Sequence, residues 1–295
     1  MTNKKDISII DKHPCFSVDA HHKYSRIHLP VAPVCNIKCK YCTRKFDCAN
    51  ESRPGVTSKV MTPHEAVDRL RLLSAREDNL SVVGIAGPGE PLANKTTFDT
   101  LNMIRDEFPD LQLCASTNGL MLPYCIDELT KAGVQTLTVT INAVNLDVAA
   151  KIYSWIIWEG KALSNNRGIR ILVENNWMGL ELAVNAGMFV KVNTVCIPGV
   201  NDGAEIISIA KKASALGAHI MNIIPLIPNA DFNEKEKPSS KKISHLRKEC
   251  SAFIKQMSHC RQCRADAFGN LCEDKDMELE ALYSTIGLQY CESIF

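Results

Sequence analysis

The chain has 295 residues, of which 45% are hydrophobic, so it is long enough to bury one sizeable core. Its 34 lysine and arginine residues nearly balance its 33 aspartate and glutamate residues, which excludes the strong positive field that attracts a whole protein to nucleic acid. The sequence shows no secretion signal and no apolar run of the roughly 20 residues that span a membrane, so we expect a cytoplasmic protein. Thirteen cysteines in that reducing compartment favour metal ligation or thiol chemistry over disulfide bonds.

Short segments rich in β-branched residues alternate with segments of helical periodicity along the chain. The first strand-like segment leads into a cysteine-rich loop, and a helix is predicted over 64–76, after the cap-like Thr62-Pro63. The strand-like segments are 25–33, 80–87, 111–117, 134–142, 188–197 and 218–227. Because helical stretches separate them, six βα units and a parallel sheet are predicted. Six units are too few for a closed eightfold barrel, so we expect an α/β fold with a partial, TIM-like (β/α)6 barrel.

Further segments surround this barrel. We expect an N-terminal extension over 1–24, the partial barrel over 25–230 and a C-terminal extension over 231–295, with both extensions closing over the rim where the strands end. Residues 153–187 are interpreted as an insertion followed by a helix, and the lysine-rich stretch 233–248 as a solvated linker and helix face.

Polar and sulfur-bearing residues collect where the predicted strands end, which is where parallel barrels place their chemistry. The first strand is followed by Cys35, Cys39 and Cys42, and the second by Gly-Pro-Gly-Glu-Pro over 87–91. Later strand ends carry Cys114, Ser116, Asn118, Asn142 and Asn193. One rim therefore collects nearly every unusual residue of the predicted barrel.

The spacing C-x3-C-x2-C supplies three thiolates that can hold a 4Fe–4S cluster while leaving its fourth iron open to a substrate. A zinc knuckle is the alternative, but zinc sites normally use four ligands. The spacing resembles the signature of the radical S-adenosylmethionine (SAM) superfamily, whose glycine-rich segment is similar to Gly87, Gly89, Glu90 and Pro91 here. The resemblance implies that the cysteine triplet holds the SAM-binding cluster, with Tyr41 as an aromatic wall. Glu90 would accept hydrogen bonds from the methionine ammonium of SAM.

Longer blocks resemble one family within this superfamily, the NifB family of nitrogenase cofactor biosynthesis. They lie within residues 13–275 and include "HPCFSVDAHHKYSRIHLPVAPVCNIKCKYCTRKFDCANESRPGV", "AGPGEPLAN", "VKVNTVCIPGVND" and "HCRQCRADA". Many bacterial members carry a C-terminal cofactor-binding domain for which this chain is too short, so we expect the short form found in methanogenic archaea. The resemblance implies an enzyme that fuses two 4Fe–4S clusters, inserts a carbide from a SAM methyl group and adds a ninth sulfur, giving an 8Fe–9S–C precursor.

The same resemblance implies three protein ligands for each of two substrate clusters, called K1 and K2. The implied ligands are His28, Cys48 and Cys114 for K1, and Cys15, Cys260 and Cys263 for K2. Together with the SAM-binding cluster, the chain would hold three 4Fe–4S clusters.

Other interpretations of these residues stay open. A lone cysteine in a strand is usually a small buried hydrophobe, a C-x2-C pair is typical of half a zinc site, and His28 could be an ordinary strand histidine. His21 and His22 could support a ligand without binding the cluster. No role is assigned to Cys125, Cys196, Cys250, Cys272 and Cys291.

The resemblance implies that SAM is used twice, first as a methyl donor to a cluster sulfide and then as the source of a 5'-deoxyadenosyl radical that removes hydrogen from that methyl group. Glu51 and Arg53 follow Cys48 and are candidates for moving protons or clamping the SAM carboxylate. Ser116, Asn118, Asn142 and Asn193 are candidates for binding methionine or ribose groups, and caps of turns or strand ends are the alternative.

The expected partners are an iron-sulfur cluster donor protein, an electron donor such as ferredoxin or flavodoxin, and a carrier or scaffold protein for the product. Neither nucleic acid nor a membrane is expected. Two rival functions remain: a different radical SAM enzyme with auxiliary clusters that acts on a peptide, RNA or a nucleotide, and a non-enzymatic iron-sulfur carrier.

Overall fold

A mixed sheet with six parallel strands forms the centre of the computed structural model, which describes residues 9–51, 55–272 and 275–282. The strands of the described part are β1 (Ser25–His28), β2 (Ile37–Cys39), β3 (Leu80–Ile85), β4 (Gln112–Thr117), β5 (Val134–Thr140), β6 (Tyr153–Trp158), β7 (Lys161–Leu163), β8 (Phe189–Cys196), β9 (Ile220–Pro225), β10 (Ala267–Gly269) and β11 (Lys275–Asp276). The sheet order is β11-β10-β1-β3-β4-β5-β8-β9. The strands β1, β3, β4, β5, β8 and β9 are parallel, and β10 and β11 are antiparallel.

Helices precede, connect and follow the parallel strands of the sheet. They are α1 (Ala20–Lys23), α2 (Pro63–Ser74), α3 (Lys95–Glu107), α4 (Leu122–Lys131), α5 (Leu146–Ile152), α6 (Asn166–Asn185), α7 (Ala204–Ala215) and α8 (Ser240–Cys250). Six of the eight helices named here, α2 to α7, connect the parallel strands, whereas α1 precedes the first of these strands and α8 follows the last. The predicted cap of α2 is confirmed, because the Thr62 side chain accepts from the Glu65 amide and the Glu65 side chain accepts from the Thr62 amide. Within the described ranges, no helix combines the length and the apolar character needed to cross a bilayer.

The predicted fold class is confirmed as an α/β fold with an open, partial barrel. All six predicted strands are present, each somewhat shorter than its apolar segment. Alternate strand residues face opposite sides, so that Val83 and Ile85 of β3 join the helix-covered core whereas Val82 lines an inner cavity. The concave inner face of the sheet is therefore available for a site.

The predicted insertion contains a β-hairpin that the sequence pattern did not reveal. Strands β6 and β7 pair with each other, and β6 pairs with β2 of the cysteine-rich loop through Ile37 opposite Ile156 and Lys38 opposite Trp155. The hairpin therefore packs on the loop that carries the cysteine triplet. The lysine-rich stretch forms α8 as expected, with Ile243, Leu246 and Cys250 buried.

The terminal extensions contact both ends of the strands. At the carboxyl ends, the Ala265 amide donates to Asp47 Oδ2 of the cysteine-rich loop at 3.2 Å, in agreement with the expectation that the extensions close over this rim. At the amino ends, Phe16 and Met257 pack against Phe189 and Ile220, which are the first residues of β8 and β9. The amino-end contact arises because α8 returns the chain to that end of the sheet, as the helix of any βα unit does.

The C-terminal segment then crosses the open side of the barrel. The amide of Met221 in β9 donates to the Lys255 carbonyl at 2.8 Å, and the amide of Met257 donates to the Met221 carbonyl at 2.8 Å. Further along, β10 pairs with β1 at the other edge of the parallel strands. The segment thus bridges the two edge strands of the open barrel.

Candidate active site

Two cavities lie on the inner face of the sheet, and both are lined by cysteines. The first lies against the cysteine-rich loop and the carboxyl ends of the strands. The second lies deeper in the barrel. Glu51 and Ser116 line both cavities and therefore stand between them.

The first cavity contains the cysteine triplet. It is lined by Cys35, Cys39 and Cys42 together with Tyr41, Glu90 and Asn118. Burial raises the pKa of the Cys35 thiol to about 11 and raises that of Cys39 still further. A bound metal would supply the positive charge that turns such thiols into thiolates.

The arrangement of the three thiols fits a cluster better than a single ion. Among the described residues, only His21, His22 and Cys272 place three potential ligand atoms within 4.8 Å of one another, so the cysteine triplet does not. At least two of the triplet's sulfur atoms are thus more than 4.8 Å apart, whereas the sulfur ligands of one tetrahedral zinc ion would be about 3.8 Å apart at Zn–S bonds of about 2.3 Å. A cubane holds its thiolates on separate iron atoms, so the triplet fits a 4Fe–4S cluster.

The glycine-rich segment docks directly on the cysteine-rich loop. The Gly89 amide donates to the Ala32 carbonyl at 2.5 Å, and the Glu90 amide donates to the Val34 carbonyl at 2.8 Å. A Cβ at position 89 would collide with the Val34 carbonyl, and Gly87 has a φ of +149°, which favours glycine. The two glycines therefore permit the close approach of one loop to the other.

Glu90 is buried beneath the first cavity and is held by three protein donors. Its carboxylate accepts from the Thr117 hydroxyl at 2.5 Å, the Asn118 amide at 2.6 Å and the Leu92 amide at 3.1 Å. It also caps the short 3-10 helix that begins at Pro91. Burial raises the pKa of Glu90 to about 7 despite these hydrogen bonds. Since a carboxylate has about four acceptor positions, one remains in principle for a ligand ammonium.

The second cavity gathers most of the residues that the sequence assigns to substrate clusters. It is lined by Cys15, His28, Cys114, Cys260 and Cys263. The sequence analysis places Cys114 at the end of a strand, but in the structure it lies in the middle of β4. It faces the barrel interior from there.

Strand register places His28 and Cys114 in one row on the inner face of the sheet. His28 pairs with Gly84, and Gly84 pairs with Cys114, so the three residues form one row across β1, β3 and β4. A Cβ at Gly84 would lie 2.9 Å from His28 Cδ2 and 3.9 Å from Cys114 Cβ. The absence of a side chain at Gly84 therefore makes room for the His28 ring above β3. His28 Nδ1 is 3.0 Å from the Arg264 carbonyl, so a metal would bind through Nε2.

Cys48 does not join this row. It lines the first cavity, where burial, followed by the charges of Cys42 and Cys35, raises its pKa well above the usual value. The set implied for K1 is thus divided between two cavities. The reason is covalent, because Cys48 follows Cys42 by only six residues in the same loop.

Two buried cations line the second cavity, and the sequence analysis missed both. Arg26 Nη2 donates to Cys263 Sγ at 3.2 Å, and Arg26 Nη1 donates to the Gly269 carbonyl at 2.5 Å. Burial acts to lower the pKa of Lys191, but nearby acidic groups, led by Cys15 and Glu51, outweigh burial and raise it. Each of these residues is a charged side chain within an apolar strand, and this pattern could have identified both from the sequence. Buried cations beside thiols suit an anionic iron-sulfur ligand.

Glu51 lies where the two cavities meet. Its carboxylate accepts from Asn193 Nδ2 at 2.9 Å, and the Ser116 hydroxyl provides a second hydrogen bond. Burial raises the pKa of Glu51 to about 7, against the opposing charge of Lys191. A carboxyl group with this pKa can accept or release a proton near neutral pH. Its predicted neighbour Arg53 lies outside the described residues.

The remaining predicted residues divide between the site and its scaffold. Asn193 lines the second cavity, whereas Asn118 lines the first, with its amide nitrogen 3.9 Å from Cys35 Sγ. Asn142 lines neither: its amide donates to the Tyr41 hydroxyl at 2.9 Å, and its carbonyl accepts from the Val195 amide at 2.8 Å. The alternative interpretation of Asn142 as a strand-end cap is therefore favoured.

The geometry agrees with the known proteins that this chain is similar to. A family model described as the radical SAM superfamily matches residues 29–213. Two curated relatives, both described as FeMo cofactor biosynthesis protein NifB, come from Klebsiella pneumoniae and Azotobacter vinelandii. The first is 45% identical over 277 residues, covering 92% of this chain and 59% of its own length. The second is 46% identical over 276 residues, covering 91% of this chain and 55% of its own length.

Solved structures show the same fold at low sequence identity. A radical SAM methyltransferase from Sphaerobacter thermophilus superposes with a TM-score of 0.54 at 23% identity, over 79% of this chain and 64% of its own. HydG, a maturase of the [FeFe]-hydrogenase, superposes with a TM-score of 0.56 at 14% identity, over 87% of this chain and 56% of its own. The chain spans little more than half the length of the two curated relatives named above. With its cysteine triplet, glycine-rich loop and partial barrel, the chain belongs to the radical SAM superfamily and is a NifB-like member of it.

Proposed function

We propose that this chain acts in FeMo cofactor biosynthesis as a radical SAM enzyme whose substrates are themselves iron-sulfur clusters. In this proposal it fuses two 4Fe–4S clusters, inserts a carbide derived from a SAM methyl group and adds a sulfur to give an 8Fe–9S–C precursor. The observation that carries the proposal is the second cavity, where four cysteines and a histidine lie directly beside the cavity of the SAM triplet. An enzyme acting on an organic molecule would need so many thiols there only to hold auxiliary clusters.

Each group of cysteines has a distinct role in this proposal. Cys35, Cys39 and Cys42 hold the SAM-binding cluster, and Cys15, Cys260 and Cys263 hold one substrate cluster at the amino end of the barrel. When bound, SAM and its cluster supply a methyl group and a 5'-deoxyadenosyl radical. Glu90, Ser116 and Asn118 line the cavity that would accommodate SAM.

His28 and Cys114, which line the second cavity in one row, hold the other substrate cluster. For Cys48 to complete this set, its side chain has to turn from the first cavity toward the second. Glu51, three residues further along, already lines both cavities. The proposal therefore includes a change in the position of Cys48 when the second cluster is loaded.

The buried charges of the second cavity support an anionic substrate. A 4Fe–4S cluster with thiolate ligands carries net negative charge, and Arg26 and Lys191 offset that charge at the side of the cavity. Arg26 also orients Cys263 through its hydrogen bond to the sulfur. Without these cations, burying several thiolates in one cavity would be costly.

Glu51 is the proposed proton acceptor. Converting a methyl group into a carbide requires the removal of protons after the hydrogen abstraction. Glu51 stands between the SAM cavity and the cluster cavity, and its pKa of about 7 suits it to accept those protons. The proposed partners are a cluster donor protein, a low-potential electron donor and a carrier that receives the product.

The test is an anaerobic reaction with the cluster-loaded protein, SAM and dithionite, without any organic substrate. The proposal predicts both S-adenosylhomocysteine, from methyl transfer, and 5'-deoxyadenosine, from the radical step. 5'-Deoxyadenosine that forms only after a peptide, RNA or nucleotide is added would favour a different radical SAM enzyme. Failure to form either product with intact clusters would favour an iron-sulfur carrier.

A further inference from the structure

Two histidines and a cysteine converge outside the two cavities, at the junction of the terminal extensions. His21 Nε2 is 3.3 Å from Cys272 Sγ, and His22 Nδ1 is 3.4 Å from the same sulfur. His21 is buried, whereas His22 and Cys272 are exposed. None of the three lines the cavities described above. The cluster is therefore separate from the proposed iron-sulfur sites.

The distances match those between the ligands of one tetrahedral ion. With Zn–S of about 2.3 Å and Zn–N of about 2.0–2.1 Å, the sulfur and nitrogen ligands of a tetrahedral zinc ion lie about 3.6 Å apart. All three ligand atoms here lie within 4.8 Å of one another.

Hydrogen bonds to the backbone also orient the segments that carry His21 and Cys272. His21 Nδ1 lies 2.8 Å from the Val18 carbonyl, so Nδ1 carries the proton and Nε2 presents its lone pair toward Cys272. A carbonyl partner of this kind commonly orients metal-ligating histidines. The Cys272 amide donates to Asn270 Oδ1 at 2.9 Å, which holds the turn that carries the thiol. The His259 ring stacks on His21 with a centroid distance of 5.1 Å and forms the inner wall of the cluster.

We propose that His21, His22 and Cys272 bind one divalent metal ion of zinc-like character. Imidazole and thiolate are the ligands that zinc favours, and the exposed side of the cluster leaves the fourth position to water. The ion joins α1 of the N-terminal extension to the segment after β10. Those two extensions carry Cys15 and Cys263, so the metal fixes the frame around the deeper end of the second cavity. The proposal does not depend on the function proposed above.

The test measures zinc in the cluster-loaded protein after one equivalent of zinc is added and unbound metal is removed by gel filtration. Wild type should retain about one zinc per chain, with unchanged iron. Cys272→Ser and His22→Ala should each lose that zinc and keep the iron. His64→Ala, which removes an exposed histidine at the start of α2, is the matched control and should retain the zinc.

Zinc-edge X-ray absorption identifies the ligands directly. The expected shell contains one sulfur and three nitrogen or oxygen atoms. Zinc retained by Cys272→Ser, or a shell with three or four sulfurs, would place the ion in a cysteine triplet and overturn the proposal. Wild-type protein that retains no zinc would also overturn the proposal.

Thiol alkylation gives a second measurement that does not require the variants to bind metal. Cys272 should react with iodoacetamide at least tenfold more slowly with zinc than after chelation, as followed by mass spectrometry of its peptide. In His22→Ala the difference should vanish. Equal reactivity of wild-type Cys272 with and without zinc would contradict the site.

Discussion

At the scale of single residues, the two buried carboxyl groups differ in what surrounds them. Glu90 accepts three hydrogen bonds from Thr117, Asn118 and Leu92 and so fastens the glycine-rich loop to the end of β4. Glu51 is held by Asn193 and Ser116 and faces both cavities. Burial raises the pKa of both groups to about 7. The first carboxyl group mainly organises the site, whereas the second is placed to exchange protons with a substrate.

Glu51→Gln should separate radical formation from product formation. The amide keeps the shape and the Asn193 contact but cannot accept a proton, so 5'-deoxyadenosine should still form while the 8Fe–9S–C product falls about 100-fold or more. In wild type, product formation should rise as pH increases through about 7, where Glu51 loses its proton. The variant should lack that rise. Product yield and 5'-deoxyadenosine are measured on the same samples between pH 5.5 and 8.5, and equal product from both proteins would remove Glu51 from the mechanism.

The raised pKa of Glu51 also predicts a pH dependence of stability for the metal-free chain. The folded state holds the proton up to about pH 7, whereas the unfolded chain releases it near 4.5. The free energy of unfolding should therefore fall as pH rises from 4.5 through 7, by up to roughly 3 kcal/mol from this group. Denaturant unfolding of wild type and Glu51→Gln at pH 5 and pH 8 measures this contribution. A variant with the same pH dependence as wild type would show that Glu51 is not the source.

Gly84→Ala tests whether His28 binds a cluster together with Cys114. Alanine suits a strand interior better than glycine does, so the fold should persist. Its methyl group would lie 2.9 Å from His28 Cδ2 and displace the ring from the position in which it would bind a cluster. Iron should fall by about one third, with the SAM-cluster spectrum retained. Gly203→Ala, where a Cβ meets no heavy atom within 4 Å, is the matched control. Unchanged iron in Gly84→Ala would place the second substrate cluster elsewhere.

At the scale of secondary-structure elements, the C-terminal segment determines the shape of the second cavity. Residues 255–257 hydrogen bond to β9, and β10 pairs with β1, so the segment joins the two edges of the open barrel. Met257 and Phe268 from this segment are buried in the core. The same stretch places Cys260 and Cys263 in the second cavity. The C-terminal segment therefore contributes both to the core and to the cysteines of the second cavity.

Because the segment is part of the core, its cysteines are better tested by substitution than by truncation. Cys260→Ala combined with Cys263→Ala should keep Met257 and Phe268 in place and remove two ligands of one substrate cluster. Methyl transfer, measured as S-adenosylhomocysteine, should disappear while the SAM-binding cluster remains visible by electron paramagnetic resonance. Cys125→Ala, at a buried cysteine of α4 outside both cavities, is the control. Undiminished methyl transfer by the double variant would show that the methyl acceptor is held elsewhere.

At the scale of the whole molecule, the barrel interior is organised in two levels. Cys48 and the cysteine triplet line the first cavity at the carboxyl ends of the strands, and the other proposed cluster ligands line the second, deeper cavity. Glu51 and Ser116 connect the levels. This stacking allows SAM and a cluster substrate to occupy one enclosed interior.

The two-level arrangement predicts the iron content of the reconstituted protein. Three sets of ligands should hold three 4Fe–4S clusters, or about 12 iron atoms per chain. Cys35→Ala should lose the SAM-binding cluster and all SAM cleavage while keeping roughly two thirds of the iron. Iron and acid-labile sulfide analysis after anaerobic reconstitution gives the counts. About 4 iron atoms per wild-type chain would rule out the two substrate clusters.

The sequence by itself determined the features that depend on neighbouring residues. Apolar runs gave the six parallel strands, and the spacing of Cys35, Cys39 and Cys42 gave the cluster loop, because backbone geometry and ligand spacing act over a few residues. Only the tertiary structure decided which distant side chains share a cavity. Strand register set the row of His28, Gly84 and Cys114, and the path of the extensions brought Cys272 to His21, 251 positions earlier. Register and chain path result from packing across the whole molecule, so a local pattern could not place Lys191 inside the barrel.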